Sequence, residues 1–313
     1  MIPIFYCKYP ALIRDKTEKR REDKKRDERD PFKRLQERPM LFDINPEKVG
    51  ELHNEAFEKL SNKYSERLPE SEFDLMSNVG EVMASSFCPN QDSFCDSFVY
   101  KTTMDEFYSG NTGNNQEIKY PEGFNKDIKE LLTVTESTIV NMNADNFEEV
   151  INELTVVMDD LQSMENVPSD QQAMAIASVS VAKGSSELWF NAYTDPNHKM
   201  HGAMTEKVNK VAHEMNRRRR LDETEAVIVV EIEGRYWDGI LQLIVGSVLA
   251  DYFGMIRGGL TVLELIPKSP NLLWPWNWPG AMLSVALFHS IPASARFALG
   301  SNQTAVIPHD IDL

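Results

Sequence analysis

Residues 239–266 carry three charges, Asp251, Arg257 and Glu264, in an otherwise apolar run. A chain must hide such a segment from water, either inside a protein core or inside a bilayer. The longest uncharged stretch, Gly239–Ala250, has 12 residues, against the roughly 20 that span the hydrocarbon. Placing Asp251 or Arg257 at mid-bilayer costs about 2.5–3.5 kcal/mol each. A helical reading at about 100° per residue divides the segment into two faces. Ile244, Val245, Val248, Leu249, Tyr252, Phe253, Met255 and Ile256 gather on a bulky side. Gly246, Ala250, Gly254 and Gly258 recur every fourth residue on the other, together with Asp251. Glycine in a helix interior costs roughly 1 kcal/mol relative to alanine, so this zipper-like line implies a close-packing role against a second helix. A Trp/Pro cluster follows at Trp274, Trp276 and Trp278, then a second apolar stretch, Ala281–Phe288. Aromatic rings of this kind sit at lipid headgroup depth in membrane proteins and also close ordinary cores. Gly246, Ala250, Gly254, Gly258, Trp274, Trp276 and Trp278 are therefore the helix-packing or membrane-contact candidates, with residues 239–299 forming either a core element or a membrane hairpin.

The rest of the chain reads as helices. Asn45-Pro46 is an N-cap followed by a first-turn proline, and Val49, Leu52, Ala56, Phe57, Leu60 and Tyr64 then recur at helical spacing. Ser71 opens a second helix with Phe73, Met76, Val79, Val82, Met83 and Phe87 inward. Residues 92–108 form a third candidate, and the Gly/Asn-rich loop 109–115 marks an internal boundary. A helix at 122–142 follows, then one opened by the capping-box pair Asp145 and Glu148. Ser169 and Gln172 repeat that signal for an Ala/Ser-rich helix to about residue 193. A basic helix at 202–220 ends in Arg217–Arg220, and Ala226–Glu233 is the one strand candidate, a helical turn being its alternative. The expected architecture is a mainly α multi-helix bundle: a charged arm at 1–39, helical regions at 40–108 and 116–220, and an apolar, Gly-containing region at 225–313.

Charge is unevenly spread. Residues 1–38 hold 13 Lys and Arg against 8 Asp and Glu, whereas the formal net charge of the whole chain is −16, leaving the remainder at −21. Residues 14–38 have little apolar surface to offset their ordering entropy and are expected to form a solvated arm or a lone helix. An acidic body repels nucleic acid. Three cysteines make a poor disulfide framework, with at most one bridge, Cys88 to Cys95, and Cys7 left over, which fits a reducing compartment. The start has no secretory signature, so a cytoplasmic location is expected, with Met40 an alternative start to Met1.

Chemistry-bearing patterns are few. His198 and His201 lie three apart beside Asp195, but Pro196 places them in a loop and the spacing fits no zinc signature. His53, in Leu52-His-Asn-Glu55, could join Glu55 in acid–base work or serve as a structural histidine. Ser180-Val-Ala-Lys183 matches a Ser-x-x-Lys pattern without its companion motifs. Asn141–Asp145 imitates a calcium loop, yet Asn146 and Asn152 stand where Gly and Glu are needed. No phosphate-cradling loop or nucleophile elbow occurs. No cofactor or metal is indicated.

Three short pieces, Gly50-Glu-Leu-His-Asn-Glu55, Ser185-Ser-Glu-Leu-Trp189 and Ala250-Asp-Tyr-Phe-Gly254, together resemble a group of uncharacterised proteins from Bacteroidetes bacteria. The resemblance implies a helical N-terminal region and a Gly/Ala zipper near the end, and no activity. This chain departs from that pattern in carrying Tyr252, Phe253, Met255 and Ile256 where small residues are usual. The sequence thus points to a helical interaction or structural protein that docks a protein partner or itself. The alternatives are a membrane-associated protein using residues 239–299, and an enzyme with His53, Glu55, His198 and His201 as first suspects.

Overall fold

The first ordered turn shows how local chemistry starts the fold. In the computed structural model, which describes residues 45–87, 103, 118–143, 145–219, 228–265 and 278–300, Asn45 accepts a hydrogen bond from Glu47 N at 3.0 Å and opens a short 3₁₀ turn, Pro46–Lys48. Helix α1, Val49–Tyr64, continues directly from it. The next helices are α2 (Glu72–Phe87), α3 (Lys126–Val140), α4 (Phe147–Ser163), α5 (Ser169–Thr194), α6 (His201–Arg219), α7 (Ile228–Leu265) and α8 (Trp278–Leu299). Among the described residues there is no strand, and the chain is a mainly α multi-helix bundle. Residues 1–39 and 40–313 are two units, and every described residue lies in the second. The candidate helix at 92–108, Thr103 apart, and the loop at 109–115 lie outside the described residues.

Helix α5 is the hub. It touches α1, α3, α4, α6, α7 and α8, and its small residues allow this. Ala173, Ala175, Ala177, Ser178, Ser180, Ala182, Ser185 and Ser186 are all buried. At the crossing with α1, a methyl group on Gly50 would run into the Ser180 carbonyl, and one on Gly184 would lie 3.2 Å from Gly50 O. The backbones therefore approach closely, and Ser180 fastens them. Its hydroxyl donates to Glu47 O at 2.7 Å and accepts from Gly50 N at 3.0 Å. Ser180 is thus a helix staple, and the Ser-x-x-Lys likeness has a structural explanation.

Helices α7 and α8 form the most extensive pair in the bundle. Gly246 faces Phe297, Gly254 faces Ser290 and Gly258 faces Ala286, so the two helices run antiparallel with the small-residue side of α7 turned to α8. Ala250, on the same line, is buried. A Cβ at Gly254 would lie 2.5 Å from the Ser290 Cα. The bulky side of α7 supplies core: Ile244, Val248, Tyr252, Met255 and Ile256 are buried, and the Tyr252 hydroxyl donates to Leu132 O of α3 at 2.6 Å.

Four local expectations are corrected. Ile228–Glu233 is not strand but the opening of α7; with no proline between it and the apolar run that follows, helix propagates back through the β-branched residues. Phe73 is 51% exposed and Leu75 is buried in its stead, because α2 starts one residue before Phe73 and its first turn overhangs the core. Asp145 makes no capping box: α4 has Asn146 at its N-cap with no side-chain cap bond. Instead Asn143 and Asn146 close on one another, Asn143 N donating to Asn146 Oδ1 at 2.7 Å and Asn146 N to Asn143 Oδ1 at 3.1 Å. Ser169 is the first residue of α5 and not its cap; Gln172 reaches across to Leu161 O of α4 at 2.7 Å.

Candidate functional site

Three short segments, 50–55, 185–189 and 250–254, converge at one point in the core. Helix α1 supplies His53 and Asn54, α5 supplies Gly184, Ser185 and Trp189, α7 supplies Asp251, and α8 adds Ser290. His53, Ser185, Trp189, Asp251 and Ser290 have no solvent exposure.

Asp251 is the acceptor at the centre. Its Oδ1 lies 2.7 Å from His53 Nε2. Its Oδ2 accepts from Trp189 Nε1 at 2.9 Å and from the Ser185 hydroxyl. The Ser290 hydroxyl donates to the Asp251 backbone carbonyl at 2.8 Å, tying α8 to the same residue. On the far side of the imidazole, His53 Nδ1 lies 3.2 Å from Asn54 Oδ1. Asn54 turns its NH₂ to Gly184 O at 2.9 Å, which fixes its oxygen toward the ring. Both ring nitrogens therefore face side-chain oxygens, Asp251 Oδ1 on one side and Asn54 Oδ1 on the other. Phe57 packs against the imidazole with ring centroids 4.9 Å apart, and its edge meets Trp189 at 5.0 Å.

A carboxylate without water is tolerable only when paired and hydrogen-bonded. Asp251 has three side-chain donors from two other helices, so the network links α1, α5, α7 and α8 through one residue. Its geometry is not that of a nucleophile relay. Such a relay places the histidine between acid and hydroxyl, whereas here the acid lies between histidine and hydroxyl.

The other residues singled out from the sequence lie elsewhere. Glu55 is exposed. His198 and His201 sit at the junction of α5 and α6, where burial holds the His198 imidazole below its ordinary pKa and its Nδ1 accepts from Met200 N at 3.3 Å. His53 is thus not brought together with Glu55, His198 or His201. Among the described residues no group of three or more His, Cys, Asp or Glu is placed to hold a metal ion. Trp274 and Trp276 lie outside the described residues; Trp278 begins α8. Residues 240–261 of α7 are long and apolar enough to cross a membrane by length and composition, and most of that stretch is buried against the bundle.

Sequence reasoning found His53 and the small residues of α7 but missed the pairing of Asp251 with His53, Ser185 and Trp189. One signal was present: an acid in the middle of a core segment must find donors, and Ser185 and Trp189, four apart, share a face of α5. No periodicity tells which distant helix carries them.

Compared with protein-family models, with curated proteins and with solved structures, the chain matches none.

Proposed function

We propose that this chain is a helical interaction protein of the cytoplasm, a rigid bundle whose work is done on its surface. The observation that supports the reading is the closure of the His53–Asp251 network. The residues best suited to acid–base chemistry take up one another's hydrogen-bonding capacity, with no exposure to a substrate. The network positions four helices relative to one another, which suits a scaffold that must present a fixed face. The acidic balance of the body makes protein surfaces better partners than polyanions. Undiluted cell extract separated by size tests the reading. The chain is expected to migrate well above its own 35.7 kDa. Migration as a lone chain at native concentration overturns the proposal.

A membrane-associated reading draws on the apolar stretch at 240–261. Against it, Asp251 sits near the middle of that stretch and takes its donors from α1 and α5, partners that bilayer insertion of α7 and α8 alone would strip away. Fractionation of the 313-residue chain decides between them: release by high salt favours the scaffold, and resistance to alkaline washing favours insertion.

A further inference from the structure

Helices α3 and α4 pack as an antiparallel hairpin, and one side of it is an open groove of about 700 Å³. Nearly every turn of α3 contributes to this side, from Lys126 to Asn141, joined by the first two turns of α4. At its middle Val134 is 44% exposed, one of the few large hydrophobic side chains left in water among the described residues. Charge is ordered along the groove. Lys126 and Lys129 stand at one end, where Lys129 is held over the Tyr120 ring at 5.1 Å. Glu149 and Glu153 stand at the other.

The spacing of these charges about Val134 is nearly symmetric. At a rise of about 1.5 Å per residue, Lys126 lies about 12 Å and Lys129 about 7.5 Å before Val134 along α3. Thr138 donates to Glu153 at 3.2 Å, which sets Glu153 about 6 Å beyond Val134 and Glu149, one turn nearer the start of the antiparallel α4, about 12 Å beyond. A two-fold axis through Val134 therefore carries each lysine onto the level of a glutamate. Opposite charges at equal distances on either side of an apolar centre are the condition for a surface to complement itself in an isologous pair. Glu130 and the exposed Asp127 offset the two lysines in formal charge, so the complementarity rests on where Lys126 and Lys129 meet the partner's glutamates and not on a net positive end.

We infer that the α3–α4 groove docks a second copy of this chain, as a two-fold dimer with Val134 against the partner's Val134 and lysine ends against glutamate ends. The contact is small and rimmed by charge, which makes it a weak, salt-sensitive association. The inference rests on the reading of the chain as an interaction protein, and it fails separately from that reading. A purified chain that stays single while extract holds it in a larger assembly removes the self-docking groove alone.

The test is analytical ultracentrifugation of the purified 313-residue chain with two charge-reversed variants, K126E/K129E and E149K/E153K. All four positions are exposed, so circular dichroism should match the wild type. Expected are a reversible wild-type dimer that weakens as salt is raised, and at least about tenfold weaker self-association in each variant. An equimolar mixture of the two variants should dimerise again, since the reversed ends complement each other across the two-fold. A wild-type chain that remains monomeric at high concentration overturns the inference. So does a dimer indifferent to both variants, or a mixture that does not recover.

Discussion

His53 Nε2 and Asp251 Oδ1 lie 2.7 Å apart across 198 residues of sequence, both side chains fully shielded from water. Removing one member of such a pair leaves the other buried and uncompensated, at a cost of about 3–5 kcal/mol. D251A is therefore expected to destabilise the chain by that amount, with H53A close behind. The double variant should cost less than the sum of the two, because the second truncation removes a group already without its partner. Urea unfolding of the four proteins measures the coupling. Strict additivity would mean that the pair is not a functional unit of the core.

The α7–α8 seam makes a prediction about ranking. A methyl group on Gly254 meets the backbone of Ser290 and the carbonyl of His289, whereas one on Gly259 meets Cγ and Sδ of the Met174 side chain. Backbone cannot yield without moving α8, so G254A is expected to cost about 2–3 kcal/mol. G259A should be milder, since alanine's helix preference of roughly 1 kcal/mol offsets the displacement of Met174. Thermal or urea unfolding that ranks G259A below G254A in stability would contradict the close approach of the two helices.

Helix starts allow a sharper comparison. Asn125 accepts from Asp127 N at 2.9 Å and Ile128 N at 3.0 Å, so N125A should lose about 1 kcal/mol. Asp145, exposed and outside the N-cap of α4, should tolerate alanine within about 0.5 kcal/mol. Equal losses at the two positions would restore the capping box that the Asn143–Asn146 exchange replaces.

These contrasts show where the sequence was legible. Of the stripe Val49, Leu52, Ala56, Phe57, Leu60 and Tyr64, all but the half-buried Leu52 are buried, because period decides which residues of an amphipathic helix share a face. The small-residue line of α7 was equally visible, since glycine needs a reason to sit inside a helix. Phe73 was misread because a residue in the first turn can share the stripe and still overhang the core. Ala226–Glu233 left strand and helical turn both open because a short β-branched run satisfies both periods, and only the continuation of Ile228–Glu233 into α7 decides for helix. The site was legible in its parts and not in its assembly. His53, Ser185, Trp189 and Asp251 could each be named, but their meeting depends on three helices crossing, which no local pattern encodes.

Lys207 carries the last prediction. It is 3% exposed on α6, with its ammonium donating to Gly300 O at the end of α8 at 2.8 Å. Burial, followed by the nearby charge of Lys210, lowers its pKa to about 8. In the unfolded chain a lysine titrates near 10.4, so between these values the unfolded state holds a proton that the folded state has released. Stability contributed by this residue therefore rises with pH across the window and is lost as pH falls through about 8, an effect of about 2 kcal/mol between pH 8 and 10. Above pH 10 the buried tyrosines act in the opposite sense. Burial raises Tyr120 to about 12 and lifts Tyr193 and Tyr252 as well, so their stabilising share disappears as the unfolded tyrosines ionise. K207M keeps the aliphatic packing and removes the titrating amine. The difference in urea midpoint between wild type and K207M should shift toward the wild type from pH 8 to pH 10. A difference that does not change over that range would mean that Lys207 keeps its proton in the folded chain.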